Sequence, residues 1–550
     1  MIIEPNETLR RELSESREML EEYRQKYDDS ERQISELKAE LDKLAHLNEI
    51  YLERIKLMAA EKYAPKSERY MPIEGQTVIP EYFNEAEVTG DPVAPEIKPE
   101  EFEEITYRRR KAKGKRAADL SNLPKRKDVY RLPEEDRVCP ECGHDHMAEI
   151  GQSHIRTEIE YIPAQCTVVE IYSEAYECTC CKENGIKDSI IKAATPKPLI
   201  NKSGLASPSL AAAVMYNKFS LGLPLARQEQ DFDNLGYPIT RQNMANWVIY
   251  CADKYLRRLF DQMRLILLAF WVIYADETKV QVHREKGRAN TTQSFMWVYR
   301  SGDYEEQQMA LFEYTTTRAA EHPRRFLSGY QNYLQVDGYD VYHGIDGVTC
   351  SGCWSHCRRE FFDIVKANKK SSAAYSLASK GVDFIDQLFK IEDKYKDLSA
   401  SDKLTVRQEQ SKPVVTEFFS WVNENLTNVP PKSLIGKALQ YATNQKLYLL
   451  TYLEDGRLNI SSNAIERSIR PFANHRHAWL FCDSPRGAEA SAICYSIVET
   501  AKLNNLIPFE YLKYVLFELS QRSANAPVLD LLPWSLSIPE HCKHPTAPNT

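Results

Sequence analysis

"NYLQVDGYDVYHG" (residues 332–344) alternates apolar and polar side chains as far as Val336, then sets a carboxylate, Asp337, directly before a glycine. Asp-Gly is a turn dipeptide, so the bland reading is a strand that simply stops. A second stretch changes the weight of that reading. "FWVIYADETKVQVH" (270–283) runs six apolar residues into Asp276 before polar-apolar alternation resumes. A buried, unpaired carboxylate in mid-strand is costly, and a metal ion is one sufficient partner for it. Glu277 points to the opposite face by strand alternation and is not a candidate. Between the two aspartates, "TTQSFMWVYRSG" (291–302) and "QMALFEYT" (308–315) read as strands, and residues 318–329 as a helix. Three antiparallel strands, a helix and a strand ending in aspartate are how a ribonuclease-H-like α/β fold begins. There, neighbouring strands bring the two aspartates side by side. Such a pair repels unless cations sit between the carboxylates. Two Mg²⁺ ions about 4 Å apart activate a water or 3′-hydroxyl and stabilise the leaving oxygen in phosphodiester transfer.

That chemistry wants a third carboxylate, and the candidate is Glu466 in "ISSNAIERSIRPFANHRHAW" (460–479). Local chemistry favours a plainer role. Asn463 followed by Glu466 has the spacing of a capping box, and Glu466–Arg470 is an i,i+4 pair. Sixty-one residues separate Asp276 from Asp337, but 129 separate Asp337 from Glu466, far more than the fold needs. The excess is helical in pattern, so 365–455 is expected to be a helical insertion. "GCWSHCRREFF" (352–362) opens a helix whose Arg358 and Arg359 are either solvated or, with His356, near a DNA backbone. Cys350, Cys353, His356 and Cys357 imitate a second metal site without strong support.

The rest of the chain changes character several times. Residues 9–58 carry a heptad with Leu13, Leu20, Tyr27, Ile34, Leu41, Asn48 and Ile55 at a, and Leu9, Ser16, Tyr23, Ser30, Leu37, Leu44, Tyr51 and Met58 at d. This narrow stripe predicts a coiled coil, and Asn48 at a favours a parallel in-register dimer. A Pro- and Glu-rich stretch (69–106) reads as a linker. The basic blocks "YRRRKAKGKR" (107–116) and "PKRK" (124–127) follow, so Arg108, Arg109, Arg110 and Lys111 are candidate phosphate contacts. Then "CPEC" places Cys139 and Cys142, and "CTCC" places Cys178 and Cys181, at the spacing of two zinc knuckles. Cys180 for Cys181, or His144 or His146 for a cysteine, are alternatives. A β-hairpin is expected between the pairs, with Cys166 packed in it. Residues 225–259 read as a helix, a break at Gly236, and a second helix with Thr240 as N-cap. This is helix-turn-helix spacing, with Arg241, Gln242 and Asn246 facing outward and Trp247 and Val248 packed.

The composition is compatible with this. The chain has 550 residues, 43% hydrophobic and 27% charged, with a formal net charge of −8. Nucleic-acid binding must therefore rest on local basic patches. The N-terminus lacks a signal-peptide core, and the longest apolar run, 265–275, is too short to cross a bilayer. A soluble intracellular protein is expected. Thirteen cysteines, clustered as they are, point to metal in a reducing compartment rather than to a disulfide scaffold.

From "YAPKSERY" near residue 63 almost to the C-terminus, nine segments in order, among them "CPECG", "LPLARQEQ", "ADET", "LQVDGYDVY", "GCWSHCRREFF", "NAIERSIRP" and "ETAKLNNLIPFEYLKYVL", resemble transposases of the insertion-sequence-66 family, a branch of the DDE transposases. The resemblance implies that Asp276, Asp337 and Glu466 are the acidic triad holding Mg²⁺ (or Mn²⁺), and that the cysteine pairs hold structural Zn²⁺. It also implies that the N-terminal coil is a leucine zipper of a homodimer, and that the substrate is DNA, both element ends and target. Arg467, Arg470 and Arg476 then join the DNA-contacting set. Helper proteins of the same element, and a cytoplasmic, nucleoid-associated place in a bacterial-type cell, follow as expectations. The family's Lys and Asn after Arg476 are His477 and Ala478 here, a departure that touches a phosphate or end contact. A catalytically inactive relative that regulates transposition is the alternative.

The expected architecture is multidomain α+β: coiled coil (1–65), acidic then basic linker (66–130), β-rich zinc module (131–195), helical helix-turn-helix-like region (196–262), ribonuclease-H-like core first part (263–364), helical insertion (365–455), core last part with Glu466 (456–520), and C-terminal tail (521–550).

Overall fold

The structure is a computed structural model that describes residues 5–63, 164–177, 190–201, 204–367 and 373–545. The zinc-knuckle candidates Cys139, Cys142, Cys178 and Cys181, and the basic residues Arg108, Arg109, Arg110 and Lys111, lie outside the described residues.

Helix α1 (Pro5–Tyr63) is unbroken over 59 residues, about 90 Å at 1.5 Å per residue. The heptad runs along it as a stripe, and Leu13, Leu20, Tyr23, Tyr27, Ile34, Leu37, Leu41, Leu44 and Tyr51 are each more than half exposed. Strands β1 (Ala175–Glu177) and β2 (Ile190–Lys192) pair antiparallel, Tyr176 opposite Ile191. The sequence pattern placed a hairpin before Cys178. Residues 164–174 form no ladder, and Cys166 is exposed rather than packed. Among the described residues that stretch meets no partner strand, and the first half of the expected hairpin, up to residue 163, lies outside the described residues.

The helical region is built from α2 (Pro208–Phe219), α3 (Leu225–Asn234), α4 (Arg241–Cys251), a π turn (Ala252–Leu256) and α5 (Arg257–Leu267). Gly236, at φ +80°, ends α3 in a conformation that favours glycine. Thr240 Oγ1 then accepts the Asn243 N–H at 3.3 Å, capping α4 as its sequence predicts.

The central sheet follows. Strands β3 (Val272–Val282), β4 (Gln293–Ser301) and β5 (Ala310–Thr315) form an antiparallel meander. After helix α6 (Glu321–Phe326), β6 (Tyr333–Gln335) lies parallel to β3, and β7 (Thr349–Ser351) parallel to β6. The order is β5-β4-β3-β6-β7. The helices after it are α7 (Trp354–Ala367), α8 (Ala373–Lys394), α9 (Ala400–Val406), a π turn (Arg407–Ser411), α10 (Lys412–Leu426), α11 (Leu434–Asn444), α12 (Lys446–Thr451) and α13 (Asn463–Trp479). Strand β8 (Phe481–Cys482) pairs parallel with the far end of β3, and α14 (Pro485–Leu503) and α15 (Pro508–Gln521) complete the chain.

Two apolar clusters hold this together. The first joins the sheet to α13–α15 through Tyr274, Trp297, Phe312, Phe472, Ile493 and Leu512. In it, α14 presents Ser496 Oγ and Thr500 Oγ1 to the Phe312 and Ala310 N–H groups at 2.8 and 3.2 Å, which satisfies the edge of β5. The second cluster lies among the helices between β7 and α13, around Trp354, Phe361, Phe418, Trp421, Leu439 and Tyr452. Trp354, Cys357, Phe361 and Ile364 of α7 belong to it, so helical packing starts at Trp354 rather than at 365. Among the described residues no helix is long and apolar enough to cross a membrane.

Candidate active site

The site is set by strand register. On β3 and β6, Tyr274 pairs with Gln335 in the parallel ladder. Asp276 comes two residues further along β3, and Asp337 two residues past the last pair of β6, close enough to Asp276 to act on it electrostatically. Asp276 Oδ1 accepts the Glu277 N–H at 2.7 Å, and Asp337 Oδ1 accepts the Tyr339 N–H at 3.0 Å. Burial, then the charges of Glu277 and Asp337, push the Asp276 carboxyl up to about 8. Glu277 itself is engaged elsewhere: Arg318 pairs with it, and the Tyr342 hydroxyl donates to it at 2.5 Å. The Arg318 guanidinium lies 3.5 Å over the Tyr339 ring.

Gly338 is a glycine for a reason other than a turn. A Cβ there would stand 2.7 Å from the Tyr441 hydroxyl and 3.1 Å from Gln445 Cδ, both on or beside α11 of the insertion. Gln445 Nε2 donates to the Gly338 carbonyl at 3.2 Å. The insertion therefore presses on the residue next to Asp337. Sequence reading missed Tyr441 and Gln445; the Asp-Gly pair was the only local sign, and it had a commoner explanation.

Glu466 lies in the first turns of α13, but the capping box does not form. The N-cap is Ser462, which makes no side-chain cap bond, so Asn463 is already helical. The Glu466 carboxylate lies 3.8 Å from His356 Nε2 and 3.8 Å from Arg359 Nη2. His356 also acts electrostatically on Asp276. It stands beside Cys353, whose sulfur accepts the Ser462 N–H at 3.2 Å. Burial alone would raise the Cys353 thiol; His356 and the Ser462 donors outweigh it and hold the thiol at about 7. Burial would lower His356, but Cys353 outweighs it, and His356 is raised to about 9. Cys350 is instead pushed up to about 12 by burial. Among the described residues, no three histidine, cysteine or carboxylate groups converge as a complete metal site. That covers the Cys350–Cys357 group as well as the three acids.

The donors nevertheless fit a hard divalent cation. They are carboxylate oxygens, which suit Mg²⁺ and Mn²⁺. The charge on Asp276 is disfavoured by burial and by Asp337, a deficit that a cation relieves.

The arginines divide. Arg467 and Arg470 are exposed on α13. Arg476 is half-buried, bonded to the Lys279 carbonyl, and ties the end of α13 to β3. Arg358 corrects its expectation: it turns inward to Asp386, at 2.6 and 3.2 Å, with only 11% of its side chain exposed. Its charge is spent inside the insertion, and Arg359, 42% exposed, is the neighbour left near Glu466. On α4, Arg241, Gln242 and Asn246 are exposed, while Met244 and Val248 are buried and Trp247 partly so. Gln242 Nε2 donates to Asn246 Oδ1 at 3.2 Å.

Residues 203–490 match the profile of the transposase IS66 family, residues 136–182 its zinc-finger binding domain, and residues 496–534 the IS66 C-terminal element. Together they define a transposase with a zinc-binding module. The chain belongs to the IS66 transposase family. It is similar to the uncharacterized protein y4hP of Sinorhizobium fredii, 28% identical over 416 residues, which are 72% of this chain and 73% of that one. It is also similar to y4jD of the same organism, 27% identical over 446 residues, 78% of this chain and 84% of the other. The family implies DNA as partner, and its zinc-finger domain spans Cys139, Cys142, Cys178 and Cys181.

Proposed function

We propose that this transposase is of the DDE type, cutting the ends of a mobile element and joining them to target DNA with Asp276, Asp337 and Glu466. The observation that carries the reading is that Asp276 and Asp337 each follow the Tyr274–Gln335 pair of two adjacent parallel strands by two residues, and that Asp337 acts electrostatically on Asp276. The sheet order supports a ribonuclease-H-like core, because strands one to three are antiparallel and the next two run parallel to the first. Mg²⁺ or Mn²⁺ held by the three carboxylates would activate the attacking water or 3′-hydroxyl and stabilise the leaving oxygen. The protein's own part is placement. The β3–β6 ladder runs up to the two aspartates, Tyr441 and Gln445 confine the chain after Asp337, and α13 carries Glu466 with exposed Arg467 and Arg470 beside it. Those two arginines, Arg359 and His356 would take the phosphate backbone at the cut. The exposed face of α4, with Arg241, Gln242 and Asn246, acts as the second helix of a helix-turn-helix pair, and Arg108, Arg109, Arg110 and Lys111 add contacts that do not read sequence.

Cleavage of a labelled duplex tests this, made from the inverted repeats in the DNA flanking the gene and incubated with Mg²⁺. Glu466→Gln is the discriminating variant. Gln keeps the size and hydrogen-bonding capacity of Glu at the start of α13 but is a poor Mg²⁺ ligand. We expect at least about a hundredfold loss of cleavage, with duplex binding kept, from loss of several kcal/mol of transition-state stabilisation. Wild-type cleavage by that variant would mean the third carboxylate is another residue. The inactive-regulator reading, favoured only by His477 and Ala478 on the exposed side of α13, requires end binding without any cleavage by the unaltered chain.

The exposed stripe of α1 supports a parallel homodimer, since a helix this long with an apolar seam buries it against a copy of itself. A fragment of residues 1–65 should sediment at twice its chain mass at micromolar concentration, and a monomer there would end the reading. Asn48→Leu should raise its melting temperature while admitting other oligomers.

A further inference from the structure

Three parallel strands lie side by side at the site: β3, β6 and β7. Tyr274 pairs with Gln335, and Gln335 with Ser351. Two residues beyond these come Asp276, Asp337 and Cys353. The ladder continues past the strand ends, for the Val336 N–H donates to the Ser351 carbonyl at 3.0 Å. The chain leaving β7 thus carries a sulfur at the same count past the last ladder pair as the carboxylates of the other two. Cys353 is 2% exposed.

The chain entering α13 is stitched to this level. The Asn459 N–H donates to Gln335 Oε1 at 3.2 Å, and Gln335 Nε2 returns a bond to the Asn459 carbonyl. The Trp354 N–H donates to the Ile460 carbonyl at 3.0 Å. The last stitch is the Ser462 N–H to Cys353 Sγ, at 3.2 Å. Ser462 is the N-cap of α13, is 2% exposed, and makes no side-chain cap bond of its own. Its N–H would otherwise be buried without a partner, which folded proteins rarely tolerate. Glu466 follows one turn later on the same helix.

We infer that Cys353 is a positioning residue: by accepting the Ser462 N–H at the end of β7, its sulfur fixes the start of α13 and so the place of Glu466 relative to the two aspartates. The inference rests on the reading of Glu466 as the third carboxylate. The competing account is that Cys353 is a small buried hydrophobe, the usual role of a free buried cysteine.

Cys353→Val separates the two, because it keeps an apolar filler and removes the acceptor; Cys353→Ser keeps an acceptor. Hydrogen exchange of the full-length, metal-free chain reads the anchor directly. We expect amides 462–466 to exchange about tenfold faster in Cys353→Val, with β3 unchanged, and to return within about threefold of wild type in Cys353→Ser, as follows from orphaning and restoring one buried donor. Cys353→Ala, which lacks the acceptor and adds no bulk, should match Cys353→Val and replaces it if valine prevents folding. On DNA ends, Cys353→Val should lose about tenfold or more in single-turnover cleavage and need more Mg²⁺ for its half-maximal rate, with duplex affinity kept and Cys353→Ser recovering both. Wild-type exchange at 462–466 in the valine and alanine variants, or serine behaving like valine, overturns the inference, as does wild-type cleavage by Cys353→Val. If the unaltered chain does not cleave, the triad reading fails on its own, and the exchange experiment still decides the role of Cys353.

Discussion

Asp276→Asn should abolish strand cleavage, by about a thousandfold or more, while leaving DNA binding intact and making the metal-free protein more stable at pH 8. The first effect follows because an amide cannot replace a carboxylate as a Mg²⁺ ligand, and several kcal/mol of transition-state stabilisation go with the ion, at about 1.4 kcal/mol per decade of rate. The second follows from linkage. The carboxyl is raised to about 8 in the folded protein by burial, Glu277 and Asp337, against about 3.9 when unfolded. Stability from its protonation is fully present below about pH 4 and is lost as pH rises toward 8. The Asn variant carries no such charge, so its melting temperature should exceed that of wild type at pH 8 and match it near pH 4. Each kcal/mol should move the midpoint by roughly 2–4 °C in a domain of this size. Mg²⁺ must displace the same proton, so its stabilisation of the wild-type protein should grow between pH 6 and pH 8. Thermal denaturation at pH 4, 6 and 8, with and without Mg²⁺, measures all three. A Tm difference that ignores pH would show that Asp276 is not the buried charge described here, and cleavage by the variant would remove it from the catalytic set.

Removing the zinc should be as drastic for a different part of the chain. Elemental analysis should find one Zn²⁺ per chain, and none after Cys139→Ser with Cys178→Ser. Structural zinc supplies folding free energy locally, about 10–16 kcal/mol of apparent binding in small zinc modules near neutral pH. Its loss should make residues 136–182, the span of the zinc-finger domain, sensitive to protease while the sheet and its helices stay resistant. Element-end binding should fall at least about tenfold, as contacts from the module and the basic arm beside it are lost. Zinc retained by the double variant would reject the four-thiolate set and point to Cys180, His144 or His146.

Sequence alone determined the parts of this protein that depend on neighbours in the chain. The alternation in 270–283, 291–302 and 308–315 located β3, β4 and β5 closely, because a half-buried strand writes its period into consecutive residues. Thr240 and Gly236 marked the boundary between α3 and α4, because caps are made by residues three or four apart. That helices fill the long stretch before Glu466 was legible from its excess length and period. What sequence could not decide was any partner chosen across the chain. Asn463 and Glu466 have capping-box spacing, yet the helix begins one residue earlier, and the glutamate turns to His356 and Arg359, more than a hundred residues away. Arg358 has the look of a surface charge and is consumed by Asp386. Gly338 reads as a turn and is instead a seat for Tyr441 and Gln445. Cys353 reads as a stray thiol and meets the Ser462 N–H, 109 residues on. Each such pairing was settled by packing of the insertion and α13 against the ends of the parallel strands. There, burial makes an unpartnered polar group expensive enough to select one arrangement among the many that local spacing allows.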